Sequence, residues 1–158
     1  WLLHLAIASS KEQLGKSMSV EEITEVTDEL VEAIDSLTPQ LSSSSKPLTR
    51  EEVEQFVGQE SVYLFAYRAK GRILGMLTLA TFIIPTGHRG IIEDVVVDAD
   101  ARGTGAGSDL VEAALQKGRD LGLRNIDLTS RPTREAANRL YRRCGFEPRE
   151  TNVYRYAL

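Results

Sequence analysis

Ile91-Ile92-Glu93-Asp94-Val95-Val96-Val97-Asp98-Ala99-Asp100-Ala101-Arg102-Gly103-Thr104-Gly105-Ala106-Gly107-Ser108 runs from an apolar strand, through a glycine-rich loop, into a helix. The strand, Gly90 to Val97, is the most strongly apolar of the chain, and the helix ends at Gly122, a residue suited to the left-handed position after a helix. Glycines at Gly103, Gly105 and Gly107 let the backbone turn sharply and approach a ligand closely. The N–H groups of the loop and of the first helical turn then converge, and the helix dipole favours negative charge there. A phosphate or diphosphate is the natural occupant; a tight turn that holds nothing is the plainer alternative.

Two phosphate-binding patterns are excluded. A P-loop needs Lys followed by Ser or Thr after its last glycine, and here Ser108-Asp109 follows. The dinucleotide fingerprint G-x-G-x-x-G fails because Ser108 stands where the third glycine belongs, and because Asp98-Ala99-Asp100-Ala101 separates the strand from the glycines.

Outward from this segment, two β-rich runs, Val62 to Tyr67 and Ile73 to Ile84, flank Lys70-Gly71-Arg72 and predict an antiparallel hairpin. Pro85-Thr86-Gly87 predicts the next turn. Upstream, Ser19-Val20-Glu21-Glu22 matches a capping box, and apolar residues from Val20 to Leu37 recur at helical spacing, which predicts an amphipathic helix to about Asp35, broken by Pro39 and the Ser42 to Pro47 stretch. Thr49-Arg50-Glu51-Glu52 predicts a second, short helix to about Gln59. Trp1 to Ala8 is apolar and predicts a buried first strand. Downstream come a predicted strand from Asn125 to Ser130, a helix from Pro132 to Cys144 and a final strand from Phe146, with Val153 to Leu158 a candidate homodimer edge. Antiparallel strands followed by a β-α-β-α-β tail make this α/β with a mixed sheet, not a doubly wound one.

The 158 residues suit one domain spanning 1–158. With 42% hydrophobic and 27% charged residues the composition is that of a globular domain. A net charge of −4 argues against general nucleic-acid binding, and no apolar run reaches the ~20 residues of a membrane span. A single cysteine, Cys144, excludes an internal disulfide framework and a multi-cysteine metal site; neither His4 nor His88 has a partner at metal-ligand spacing. The expectation is a cytoplasmic protein without a metal. Eight arginines against four acids between Arg124 and Leu158 leave the rest of the chain net −8.

Arg102, Gly105 and Gly107 resemble the Arg/Gln-x-x-Gly-x-Gly/Ala acetyl-CoA loop of the GNAT N-acetyltransferase superfamily. Strand, loop, helix and strand, followed by Ala137-Asn138-Arg139-Leu140-Tyr141-Arg142-Arg143-Cys144-Gly145-Phe146, keep the superfamily's order and spacing. The resemblance implies that N–H groups of Gly103, Thr104, Gly105, Ala106, Gly107 and Ser108 cradle the diphosphate of acetyl-CoA, a cosubstrate. It implies a mostly antiparallel sheet flanked by about four helices and splayed between the strands at 91–97 and 125–130, with the pantetheine arm in the gap. Many members carry Asn seven residues before the tyrosine; here that position is Arg134, and the Asn available near the cofactor is Asn138.

Acetyl transfer to an amine needs a neutral amine, a donor for the oxyanion and a proton source for the thiolate. An alkyl ammonium has a pKa near 10.4, so a base or a desolvating site must neutralise it. Glu93 and Asp94 lie mid-strand in an apolar run, where carboxylates are costly without a task. Strand alternation predicts opposite faces for the two. Glu93 matches the position where several members of the superfamily carry the general base; Asp94 is the second candidate. Tyr141 matches the tyrosine near the CoA sulfur, and a phenol with pKa near 10 can donate to a thiolate. Backbone N–H groups around Val95, Val96 and Val97, at a bulge, would hold the oxyanion. Cys144 is expected to be an inert buried thiol. Seven acids and no Lys or Arg between Ser19 and Asp35 suit a cationic acceptor or a solvated acidic face. Small-molecule amines, aminosugar phosphates with Arg131 and Arg134 meeting the phosphate, and peptide or protein lysines all stay open, as does a non-catalytic acetyl-CoA sensor.

Overall fold

In a computed structural model, residues 18–158 are described; the predicted strand Trp1 to Ala8 lies outside them. In chain order they form β1 (Met18–Ile23), α1 (Asp28–Leu41), α2 (Arg50–Val57), β2 (Val62–Ala69), β3 (Arg72–Ile84), β4 (Gly87–Val97), a 3₁₀ turn (Ala99–Ala101), α3 (Ala106–Leu121), β5 (Asn125–Asp127) and α4 (Glu135–Arg143). Residues up to Leu128 make one compact unit, and Thr129 to Leu158 a second.

The first unit is built on a five-stranded sheet of order β1-β2-β3-β4-β5. β1 to β4 pair antiparallel in sequence, and β5 joins β4 in parallel. Lys70 and Gly71, at φ +53° and +69°, form the two-residue connection of the predicted β2–β3 hairpin. Positive φ at both central residues matches the right-handed twist of the strands.

Both sheet faces are covered. On one, Leu30, Ile34 and Leu37 of α1 and Val53 of α2 pack with Leu64, Ala66, Ile73, Met76 and Val96. Thr27 starts α1 by accepting the Leu30 N–H at 3.2 Å, and Thr49 forms the predicted capping box with Glu52 at the start of α2. On the other face, α3 buries Leu110, Val111 and Ala114 completely. Gly75 on β3 gives α3 its close approach: a Cβ there would stand 3.2 Å from Leu110 Cδ1. Lys117 of α3 reaches the far strand, with Nζ 2.8 Å from Glu22 Oε1 and 4.5 Å from the Tyr63 ring centre.

Five expectations need correction. Ser19 to Glu22 caps no helix but lies on β1, where each residue pairs with β2 from Arg68 to Phe65. Helical spacing becomes real only from Leu30, so α1 starts at Asp28 and its cap is Thr27. Pro39 does not end α1 but sits in its last turn, where the lost N–H costs a single helical bond. β5 stops at Asp127, three residues short of the predicted Ser130, and α4 starts at Glu135 rather than Pro132. Finally, residues 146–158 form no strand, and Val153, Tyr154, Tyr156 and Leu158 are exposed. A strand needs a ladder partner to be stable, and none of the described strands pairs with this segment. The candidate dimer edge at Val153 to Leu158 is therefore not a strand.

The second unit holds α4 and this terminal segment. Gly145, at φ +97°, turns the chain after α4 so that Phe146 donates to the Tyr141 carbonyl at 2.9 Å. The rings of Tyr141 and Phe146 meet edge to face, 6.0 Å apart.

Candidate active site

β4 carries an irregularity at its acidic pair. Thr78 stands opposite Glu93, yet Met76 stands opposite Val96, so Leu77 alone faces Asp94 and Val95. The extra residue is a bulge, and Asp94 absorbs it at φ +52°, a conformation Asp tolerates better than most residues. The bulge expected around Val95 to Val97 thus falls one residue earlier. Strict alternation fails here for the same reason, and Glu93 and Asp94 are both exposed rather than buried among apolar neighbours. Ile92 is buried, so Glu93 turns to the opposite face of the strand, that of α1 and α2. Val95 and Val97 are half-buried and Val96 is buried.

Beside the bulge the sheet opens. β4 and β5 pair only at Arg89–Asn125, Gly90–Ile126 and Ile91–Asp127. From Ile92 onward β4 has no ladder partner on the β5 side, which matches the predicted splay.

After β4 the chain enters the glycine loop. Gly103 and Gly105 take φ +77° and +86°, and a Cβ at either would meet nothing within 4 Å. Backbone conformation, not crowding, demands glycine, and the space over the loop stays open. Gly105 is the N-cap of α3, a helix of 16 residues, and supplies no side-chain cap. The N–H groups of Ala106, Gly107 and Ser108 consequently have no partner within the helix. Arg102, Gly103, Thr104 and Gly105 are exposed; Ala106 is buried, Gly107 and Ser108 half-buried.

Asp98 and Asp100, before the loop, are engaged elsewhere, while Asp109 is exposed in the first turn of α3. Asp98 accepts the Asp100 N–H at 2.9 Å and the Gln40 side-chain amide at 2.8 Å. These two bonds, backbone first, hold its carboxyl below the usual aspartate range. Asp100 lies 3.6 Å from Arg72. Thr104 donates its hydroxyl to the Ala101 carbonyl at 2.5 Å. An open loop with free N–H groups at the start of α3 fits a diphosphate. Gln40 and the Thr104 hydroxyl contact escaped the sequence reading, because nothing in the sequence links positions 40 and 98.

The seven acids between Ser19 and Asp35 belong to β1, α1 and their connection, not to one helix face. Glu21, Glu22, Glu25 and Glu29 line a groove of about 250 Å³ with Arg68. Arg68 binds Glu29 at 2.7 Å and Glu21 at 3.0 Å, which lowers the Glu29 pKa and raises that of the guanidinium. Three of the four carboxylates are thereby paired, the third through Lys117. One cross-strand row joins Ile23, Leu64, Thr78 and Glu93. Ile23, which lines the groove, is thus three strand spacings, roughly 14 Å, from Glu93.

Tyr141 and Asn138 lie on α4 in the second unit. Tyr141 is buried, and burial pushes its phenol above the usual tyrosine value, with Arg134 opposing. Asn138 donates from Nδ2 to the Arg131 carbonyl at 3.0 Å, a bond that ties the start of α4. Arg131 and Arg134 are exposed. Cys144 is half-buried at the C-cap of α4, more open than a core thiol. Among the described residues no group of three or more His, Cys, Asp or Glu could hold a metal ion, and no helix is long and apolar enough to cross a membrane.

Residues 29–146 match the model of the family described as Acetyltransferase (GNAT) family. No curated protein matches the chain in sequence. Among solved structures, an aminoglycoside acetyltransferase from an uncultured soil metagenomic sample superposes with a TM-score of 0.80 at 19% identity, covering 90% of this chain and 97% of the other. Glucosamine-6-phosphate N-acetyltransferase from Arabidopsis thaliana gives 0.74 at 19% identity over 88% and 97%. AAC(6')-Iy in complex with a bisubstrate analogue, CoA-S-monomethyl-acetylneamine, gives 0.75 at 16% over 89% and 98%.

Proposed function

The chain belongs to the GNAT family of acetyltransferases, and from that premise we propose that it moves an acetyl group from acetyl-CoA to the primary amine of a small molecule by direct attack in a ternary complex. One observation carries the cofactor half: two left-handed glycines set free N–H groups at the start of α3, directly after the strand that parts from β5.

Bound at this loop, acetyl-CoA supplies a thioester carbonyl and a thiolate leaving group. The N–H groups from Gly103 to Ser108 bind its diphosphate, and Arg102 adds positive charge beside them. The unpaired edge of β4 from Ile92 to Val97 offers donors and acceptors to the amides of the pantetheine arm. Glu93, exposed on the face of α1 and α2, takes the proton of the attacking ammonium directly or through water. As the amine nitrogen bonds to the carbonyl carbon, freed backbone N–H groups around Val95 to Val97 stabilise the oxygen. The carbon–sulfur bond breaks, and Tyr141 donates its phenolic proton to sulfur. Its raised pKa keeps that proton in place at neutral pH. Asp94 shapes the bulge and is the second candidate for a direct part.

A small-molecule amine is favoured because structural relatives with the same fold are named for aminoglycosides and for glucosamine 6-phosphate. The test is thiol release from acetyl-CoA with polyamines, amino acids, aminosugars, aminosugar phosphates and lysine peptides, beside calorimetry with CoA. Turnover on a small amine is expected. CoA binding without turnover on any acceptor leaves a sensor module, and turnover confined to peptides moves the acceptor class to proteins.

A further inference from the structure

The 3₁₀ turn before the glycine loop is held from outside. Gln40 lies in the last turn of α1, 58 residues before Asp98, and donates from Nε2 to Asp98 Oδ2 at 2.8 Å. The other oxygen of the same carboxylate, Oδ1, accepts the Asp100 N–H at 2.9 Å and caps the 3₁₀ turn. That turn ends at Ala101, whose carbonyl accepts the Thr104 hydroxyl between Gly103 and Gly105. Asp98 itself donates its N–H to the Leu74 carbonyl at 2.8 Å, so its backbone stays on the sheet. A continuous run of hydrogen bonds therefore leads from α1 into the loop, and Gln40 is its first donor.

We propose that Gln40 is a positioning residue for the diphosphate loop: it fixes the Asp98 carboxylate, and through it the 3₁₀ turn and Thr104, so that the loop N–H groups are aimed before a ligand arrives. This rests on the diphosphate-binding role assigned to the loop under Proposed function. A pre-aimed loop pays less ordering entropy on binding, so the residue acts on affinity and not on the chemical step. Gln40 is exposed and has no place in the core, so its removal leaves the packing of α1 on Leu30, Ile34 and Leu37 untouched.

The experiment compares Gln40→Ala and Gln40→Lys with the unaltered protein by calorimetry with CoA, by kinetics and by thermal melting. Loss of one hydrogen bond to a carboxylate predicts about three- to tenfold weaker CoA binding for Gln40→Ala. KM for acetyl-CoA rises in step, with kcat within twofold and a melting temperature no more than about 2–4 °C lower, the worth of one surface hydrogen bond. Gln40→Lys keeps a donor within reach of Asp98 and restores affinity to within twofold. CoA affinity of Gln40→Ala equal to that of the unaltered protein overturns the proposal and leaves the assigned function standing. Weaker binding that Lys does not restore also overturns it. Absence of CoA binding by the unaltered protein overturns both.

Discussion

Thr78 faces Glu93 across the β3–β4 ladder in the last matched pair before β4 gains a residue on its neighbour. The ladder thus anchors the backbone of Glu93, while its carboxylate stays exposed on the face of α1 and α2. A base held this way can be removed without disturbing the core. Glu93→Gln is expected to lower kcat by about 10²-fold or more, the usual worth of a positioned base. CoA affinity should hold, and the rise of kcat/KM with pH should flatten or move. A pH profile identical to that of the unaltered enzyme would remove Glu93 from the mechanism.

The bulge itself is open to test through Asp94. Its φ of +52° suits Gly and penalises a β-branched residue by about 1–2 kcal/mol. Asp94→Gly should melt near the unaltered protein. Asp94→Val should melt about 2–8 °C lower, given about 2–4 °C per kcal/mol for a chain of this size. Equal melting of the two variants would mean that the strain is absent.

Tyr141→Phe tests the proton donor. The prediction is a lower kcat across pH 6–9 with little change in acetyl-CoA affinity; an unchanged kcat would assign the hydroxyl a purely structural part. Burial raises the folded-state pKa of Tyr141 above its unfolded value near 10. The native chain then holds this proton more tightly than the unfolded one. Stability is fully present below about pH 10 and declines as pH climbs from there toward the raised value. Tyr141→Phe should flatten that alkaline decline in melting temperature measured between pH 9 and 11.

Gly105→Val separates the loop from the fold. With φ at +86° and nothing within 4 Å of an added Cβ, the substitution strains the backbone locally without striking the core. CoA binding should fall by at least tenfold while the far-ultraviolet circular dichroism is kept. Undiminished binding would place the diphosphate elsewhere.

The strand-loop-helix segment from Gly90 to Gly122 was legible because its signals are local. An apolar run, glycines that need positive φ and a terminal glycine act within a few residues of themselves. β1 was not legible for the opposite reason. Val20 and Ile23 precede Leu30 at spacings that fit a helix, and the Ser19 to Glu22 pattern is short enough to occur on a strand. Only pairing with Ala66 and its neighbours on β2, more than 40 residues away, selects the extended form. The place of the bulge escaped for a related reason, since it depends on how β3 and β4 register over their whole length. Val153, Tyr154 and Tyr156 are β-favouring residues, yet propensity without a partner yields no strand. Tyr141 and Gly145-Phe146 were visible as a pattern, and their edge-to-face contact gives that spacing a structural reason.

β5 is the last strand of the sheet and ends at Asp127, so β4 from Ile92 onward carries bare backbone at the rim. Rim strands invite pairing with other chains, a hazard that proteins blunt with charge, proline or cover. Here the bare stretch carries Glu93 and Asp94, both exposed, so charge is the guard. The protein can thereby keep a row of donors and acceptors ready while like charge discourages a second copy from pairing along it.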